Sequence, residues 1–370
     1  MSSVIIREAK FDDEDLVQQL CLRNGIRQED SSDAWQWIWN SNRLYDDKWP
    51  LGWVLVSDET IVGFIGNIPR LYSYRGKNLI AGVARAFVVD KMFRSHSLKL
   101  VAKFFSQKYA DFLIFSSAND DAGKVYRIAG ATGIPQVDYN KDLFWVTEPA
   151  SFVLALLKQK GFSNAIAIIV SKCIVPLKYA NKAYWRVFQK NDNDDCRVIN
   201  IQPDQLANEI NDLWLYIHSN NPERLYSFRD KEAINWQFVN DSALKRKTTA
   251  YAAYRDDRLV GYIVIIRRDS VRYGLRRLLI ADIIVKDDNP AILNSLMSSV
   301  LSHAVVNNIS ITQIIGFPGY IRAALCKLTP FSKMIPHDRF LYHVNNSELS
   351  SQLEQENIWY ASSFDGDSSL

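Results

Sequence analysis

Asp58-Glu59-Thr60-Ile61-Val62-Gly63-Phe64-Ile65-Gly66-Asn67-Ile68 is matched, 198 positions on, by Asp256-Asp257-Arg258-Leu259-Val260-Gly261-Tyr262-Ile263-Val264-Ile265-Ile266. Asp58/Asp256, Val62/Val260, Gly63/Gly261, Ile65/Ile263 and Ile68/Ile266 are identical. With the residues just before, each copy reads as strand, acidic tight turn, strand. A hairpin alone recurs too often to define a fold, so the flanks decide. Trp35-Gln36-Trp37 precedes the first hairpin inside a helical pattern, as Trp236-Gln237-Phe238 precedes the second. Matching third strands follow, Val83-Ala84-Arg85-Ala86-Phe87-Val88-Val89 and Ile280-Ala281-Asp282-Ile283-Ile284-Val285-Lys286. An amphipathic helix comes next in each copy, at about 96–109 and 290–306. A short apolar strand, another helix and a closing strand complete both. The simplest explanation is one α/β unit present twice, with mixed central sheets flanked by helices. The expected division is a first unit at 1–148, a helical insert at 149–195, a second unit at 196–346 and a tail at 347–370.

The composition is compatible with that size. A chain of 370 residues that is 48% hydrophobic can bury the cores of two domains. Its 44 basic and 41 acidic residues nearly cancel, which argues against nucleic acid as a partner, because phosphate affinity needs a clustered cationic excess. Cys21, Cys173, Cys196 and Cys326 are scattered, suggesting neither a disulfide framework nor a metal site. His218, His303, His337 and His343 show no ligand spacing. The beginning lacks the pattern of a signal peptide and no run is apolar enough to span a bilayer, so a cytoplasmic protein is expected.

The insert differs from both copies. From 151 to 190 it carries Lys158, Lys160, Lys172, Lys178, Lys182, Arg186 and Lys190 with no acidic residue, interleaved with apolar ones, before the acidic run Asn191-Asp192-Asn193-Asp194-Asp195. Two readings are open. Either a helical pair covers the junction of the copies with its lysines solvated, or an apolar and purely basic surface makes peripheral contact with an anionic membrane.

The order helix, hairpin, long strand, helix, strand, helix, strand resembles the GCN5-related N-acetyltransferase superfamily. The doubled arrangement with a helical insert is similar to members associated with bacterial surface polysaccharide synthesis, the cellulose-biosynthesis-type acyltransferases, and to the Fem-type aminoacyl transferases. The resemblance implies acetyl-CoA or another acyl-CoA as co-substrate, no metal, and a small-molecule amine as acceptor. In that family the long strand runs into a loop with the pattern Arg/Gln-x-x-Gly-x-Gly/Ala, which holds the coenzyme A pyrophosphate at a helix start. Val88-Val89-Asp90-Lys91-Met92-Phe93-Arg94-Ser95-His96-Ser97-Leu98-Lys99 stands there in this chain, with Ser97 and Lys99 in the glycine positions. Unpaired N–H groups and a positive dipole end would still meet the anion, helped by Arg94, Lys91 and Lys99. The implied co-substrate contacts are therefore Phe87, Val88 and Val89 on the strand, Arg94, Ser95, His96, Ser97, Leu98 and Lys99 at the turn, and Asn119. The second copy offers Lys286-Asp287-Asp288-Asn289-Pro290 instead, where two carboxylates would repel phosphate.

Acyl transfer to an amine needs positioned substrates, a donor to the developing oxyanion, a sink for the amine proton and an acid for the leaving thiolate. The family often places a Tyr for the last task on the helix after the fifth strand, and Tyr126 matches that position. Arg85 and Asp282 are equivalent charges inside apolar strands, either a structural ion pair or, for Asp282, a group that orients the acceptor amine. The tail, Trp359 to Asp367, resembles the Trp- and Asp-rich ending of the polysaccharide-linked members; it is either an acceptor contact or a solvated terminus. The leading expectation is an acyltransferase acting on an amino sugar, with donor acyl-CoA or an acyl carrier protein. A Fem-like aminoacyl transferase and a non-catalytic scaffold at the membrane are the alternatives.

Overall fold

Asp58 and Glu59 take φ of 46° and 63°, and Asp256 and Asp257 take 50° and 56°. Two successive left-handed residues close a two-residue hairpin whose twist suits the flanking strands, and short polar Asp tolerates that backbone best after Gly and Asn. Around these turns the computed structural model, which describes residues 4–26, 32–173, 196–239 and 246–370, builds two mixed sheets flanked by helices.

The first sheet contains β1 (Val4–Glu8), β2 (Gly52–Ser57), β3 (Thr60–Tyr74), β4 (Lys77–Val89), β5 (Phe112–Phe115), β6 (Thr132–Gly133), β9 (Tyr226–Ser227) and β15 (Leu341–His343). Its order is β1-β2-β3-β4-β5-β15-β6, with β9 on the far part of β3. The second contains β7 (Lys141–Val146), β8 (Arg197–Ile201), β10 (Thr248–Arg255), β11 (Arg258–Arg267), β12 (Arg277–Val285), β13 (Ile311–Ile314) and β14 (Phe331–Met334), in the order β14-β7-β13-β12-β11-β10-β8. In both, the long third strand is antiparallel to the hairpin and parallel to the short strand after the crossover helix.

The helices of the first copy are α1 (Glu14–Arg23), α2 (Ser32–Asn40), α3 (Ser97–Phe105) and α4 (Asp120–Ile128). Leu100, Val101, Phe104 and Phe105 put one face of α3 onto Leu55, Ile65, Ala84, Leu113 and Phe115 of the sheet. Each such side chain contributes roughly 1.5–3 kcal/mol by leaving water. The insert begins with α5 (Pro149–Gln159) and α6 (Asn164–Cys173); its remainder, with Lys178, Lys182, Trp185, Arg186, Lys190 and the acidic run, lies outside the described residues. Then come α7 (Pro203–Asn220), the single turn α8 (Lys231–Ile234) running into a π-helical turn at Asn235–Val239, α9 (Pro290–Val306), α10 (Gly319–Cys326) and α11 (Ser347–Leu353).

The compact units interleave along the chain instead of following the divisions expected from sequence order. Residues 1–140, 218–245 and 336–370 form one; 141–217 and 246–335 form the other. The closing strand of the first copy, β7, pairs with β13 and β14, while β15 from the second copy pairs with β5 and β6. Trp236-Gln237-Phe238, the counterpart of the Trp35 segment, belongs to the first unit, where Trp236 stacks on Trp37 at 5.8 Å. Among the described residues no helix is long and apolar enough to cross a membrane.

Candidate active site

The ladder between β4 and β5 runs only through Ala81–Phe112, Gly82–Leu113 and Val83–Ile114, whereas β4 continues to Val89. Parallel strands that start together and then part leave a strand edge facing a gap. The ladder on the other side of β4 is irregular. Phe64 pairs with Val88 and Gly66 with Arg85, so Ile65 faces an extra residue, and Ala86 is held at φ 53°. A bulge here increases the local twist of β4, just past the point where its ladder to β5 ends. β5 carries β15 on its other edge, with Leu341 opposite Phe115, so it is anchored on the side away from the gap.

Beyond Val89 the chain reaches the cationic turn. Asp90 is fixed by Arg23, whose Nη2 donates to it at 2.7 Å, and by Asn24 Nδ2 at 2.6 Å. Burial works to raise the Asp90 pKa, but these donors outweigh it and hold the carboxylate below its ordinary range. A 3₁₀ turn at Lys91–His96 then leads into α3, whose start carries no side-chain cap. The Ser97 N–H donates to the Arg94 carbonyl, so the turn runs straight into the helix, and no side chain closes its start. Arg94, Ser95, Leu98 and Lys99 are exposed around it, and His96 and Ser97 are half-buried.

Tyr126 lies on α4 against the diverging strands. Its ring packs 4.1 Å from that of Phe115, the last residue of β5, and 5.2 Å from that of Phe87, just past the bulge. Burial above all, then the charge of Asp367, raise its pKa well above the ordinary phenol value, so it holds its proton at neutral pH. Asn119 caps α4: its Oδ1 accepts from the Ala122 N–H at 2.8 Å, which commits that oxygen to the helix.

Solved structures with the same architecture are N-acyltransferases by name. A GCN5-related N-acetyltransferase from Anabaena variabilis superposes with a TM-score of 0.55 at 11% identity, over 93% of this chain and 73% of that one. A probable N-acyltransferase from Enterococcus faecalis gives 0.58 at 7%, over 93% and 73%. Saccharomyces cerevisiae N-myristoyltransferase, solved with bound myristoyl-CoA and inhibitors, gives 0.54 at 12%, over 92% and 80%. The fold is the GCN5-related N-acetyltransferase fold, carried twice. No protein-family model and no curated protein matches the sequence.

The second copy of the acetyltransferase fold repeats the parting of strands but not the turn. Its β12–β13 ladder ends at Ile280–Ile314 while β12 runs on to Val285, with a register shift at Ala281, the counterpart of Ala84 and so two residues earlier than Ala86. Asp287 and Asp288 then stand at φ of 57° and 50°, and Asp287 accepts the Tyr216 hydroxyl at 2.8 Å. Asn289 caps α9 and Pro290 opens it. Asp282 of this unit has no exposed surface and accepts the Tyr262 hydroxyl at 2.6 Å. That geometry favours holding a neighbour over orienting a substrate.

The tail, expected to be either an acceptor contact or solvated, is buried in the first unit. Asp365 is 1% exposed, accepts the Ser362 N–H at 2.7 Å and the Ser227 hydroxyl, and lies 3.6 Å from the guanidinium of Arg229. Ser116, directly after β5, donates to the Asp367 carboxylate at 2.9 Å and accepts from its N–H at 3.0 Å. Tail carboxylates thus stand beside the end of β5, a placement that sequence reading missed because Asp- and Ser-rich stretches read as solvated.

A cavity of about 320 Å³ opens in the same unit between α2, the middle of β3 and residues 228–236. Trp37, Trp236 and Phe228 line it with Asn42, Arg43 and Glu232. Arg43 bridges Asp230 at 2.6 Å and Glu232 at 3.3 Å. Among the described residues no group of three or more His, Cys, Asp or Glu is placed to hold a metal ion.

Proposed function

We propose that this chain is an N-acyltransferase that moves an acyl group from acyl-CoA to an amine, using the first copy of the fold alone. The observation that carries this reading is the break of the β4–β5 ladder at Val83 with the bulge at Ala86. A backbone edge without a neighbouring strand is suited to the amide-bearing pantetheine arm, which can take the place of ladder partners. The pyrophosphate would meet the cationic turn at the start of α3 with Arg94, Ser95, Ser97 and Lys99, and Phe87–Val89 would line the thioester.

The amine attacks as its neutral form. A C–N bond forms, the C–S bond breaks, the proton lost by the amine passes to water, and the departing thiolate takes the Tyr126 proton, which solvent replaces. Burial raises the Tyr126 pKa and makes the phenol a weaker acid, so the transfer requires the thiolate to be released directly against its hydroxyl. The cavity beside Trp37 and Trp236 is the proposed acceptor entrance, because a mainly aromatic and apolar lining with a few polar groups, Asn42 and the Arg43–Glu232 pair among them, suits a small amine-bearing molecule. An amino sugar of a surface-polysaccharide pathway is the finer reading, and it rests on the resemblance of the doubled architecture.

One observation favours a second reading, a non-catalytic copy of the fold. The rings of Phe87, Tyr126 and Phe115 are packed together beside the gap, and Ser97 and Lys99 replace glycines in the turn. Release of free thiol from acetyl-CoA and longer acyl-CoAs, with a panel of amines including glucosamine, lysine and polyamines, separates the two. Catalysis predicts amine-dependent thiol release that falls roughly 100-fold in Tyr126→Phe, the scale of a general acid. No release with any pair would favour the second reading.

A further inference from the structure

The surface formed by α5 and α6 is unlike the rest of the molecule. Along α6 only Ala167 and Ser171, one turn apart, are buried. The remaining apolar side chains face solvent: Ile166 is 50% exposed, Ile169 64% and Val170 39%. Phe162, at the tip of the turn joining the two helices, is 48% exposed, and Leu156 on α5 is 36% exposed. Gly161 takes φ 83° to make that turn, and the Phe162 N–H closes back on the Leu157 carbonyl at 3.1 Å. A short hairpin of helices therefore presents a ridge of large apolar groups with an aromatic at its end. Water would be expelled from such a ridge by any apolar medium at roughly 25 cal/mol per Å², and soluble surfaces seldom leave one bare.

The charges around the ridge choose the medium. Lys158, Lys160 and Lys172 flank Phe162 and the exposed isoleucines, and no acidic residue occurs anywhere between Glu148 and Asp192. Glu148 itself is buried, its carboxylate spent on the Ser151 N–H at 2.6 Å as the cap of α5. A protein partner with a mixed surface would not need a one-signed frame. A bilayer with anionic headgroups would, because lysine stems run along buried apolar groups while their ammonium ends stay at the phosphate level. Each cation near such a surface contributes about 1 kcal/mol, close to fivefold in partition.

We propose that the α5–α6 hairpin is a docking site for an anionic lipid surface, into which Phe162, Ile166 and Ile169 insert while Lys158, Lys160 and Lys172 engage headgroup phosphates. The catalytic reading above is not needed for this; either can fail alone.

The test is co-sedimentation of the full chain with vesicles of phosphatidylcholine, and with vesicles of phosphatidylcholine and phosphatidylglycerol in equal parts. The protein is expected to sediment with the anionic vesicles and much less with the neutral ones, and added salt should weaken but not abolish binding. Ile169→Asp, at a solvent-facing position, should lower the partition coefficient roughly tenfold or more, as should Lys160→Glu. Circular dichroism and the melting temperature of both variants should match the parent, which separates lost docking from lost folding. Four results would overturn the proposal: no sedimentation with anionic vesicles, equal sedimentation with neutral ones, binding that survives both variants, or analytical ultracentrifugation showing a dimer that Ile169→Asp dissociates in a protein that ignores vesicles. The last would make a second copy of this chain the occupant.

Discussion

At Gly366 the backbone passes so close to Ser116 that an added Cβ would lie 1.7 Å from its Oγ. The φ there is −134°, a value open to any residue, so the glycine serves close approach and not a special backbone conformation. Gly366→Ala must push the tail off the end of β5 or turn Ser116 out of its bonds with Asp367. Overpacking of this kind costs roughly 1–3 kcal/mol. A lower melting temperature is expected, with most of the loss recovered by adding Ser116→Gly, which removes the clashing hydroxymethyl group. Should Gly366→Ala melt like the parent, the tail does not sit where it is described. The positions of Tyr126, Arg94 and the acidic turn of the second copy were legible, because each is a matter of side-chain type at a known offset; the roles of Tyr126 and Arg94 are those proposed above. Gly366, Asp365 and Asp367 were not. Their partners Ser116, Ser227 and Arg229 lie far away in sequence, and hydroxyl- and acid-rich composition conceals how completely each group is bonded.

The element that decides the site is β4, and within it Ala86. A non-glycine residue at φ 53° carries strain of roughly 1–2 kcal/mol, and a β-branched one considerably more. Ala86→Gly should therefore keep or raise stability by up to about 1 kcal/mol while preserving the bulge, and Ala86→Val should destabilise the chain and weaken coenzyme A binding together. Chemical denaturation with a parallel binding titration checks both. Normal binding by a destabilised Ala86→Val chain would break the proposed link between the bulge and the site. The strand itself was readable from its apolar run, whereas its parting from β5 has no mark in the residues. Nothing in Val83-Ala84-Arg85-Ala86-Phe87 marks a bulge, since alanine gives no signal of positive φ. The start of α9 was better marked: Asn289-Pro290 is a cap and first-turn proline, and the helix begins there.

At the scale of the whole molecule, the repeated hairpins and crossover helices revealed two copies of one fold, but not how the chain divides between them. β7 and β15 are short apolar strands that could complete either sheet, so their pattern carries no address. The exchange is a tertiary choice, made by which strand edge each segment meets after a crossover of many residues. The same holds for 218–245, which resembles its counterpart in the first copy yet packs in the first unit. The proposed inequality of function between the copies has a simpler basis. Both sheets open at the same place, yet only the first opening leads to a turn with Arg94 and Lys99 and an uncapped helix. The second leads to Asp287, Asp288 and a helix start already closed by Asn289.

Isothermal titration calorimetry with coenzyme A tests that inequality most directly. The expected result is saturable binding of one equivalent per chain, weakened at least roughly tenfold by Arg94→Glu, in line with the loss of a charge-assisted phosphate contact. No binding heat, or two equivalents per chain, would contradict a single working thioester site in the first copy.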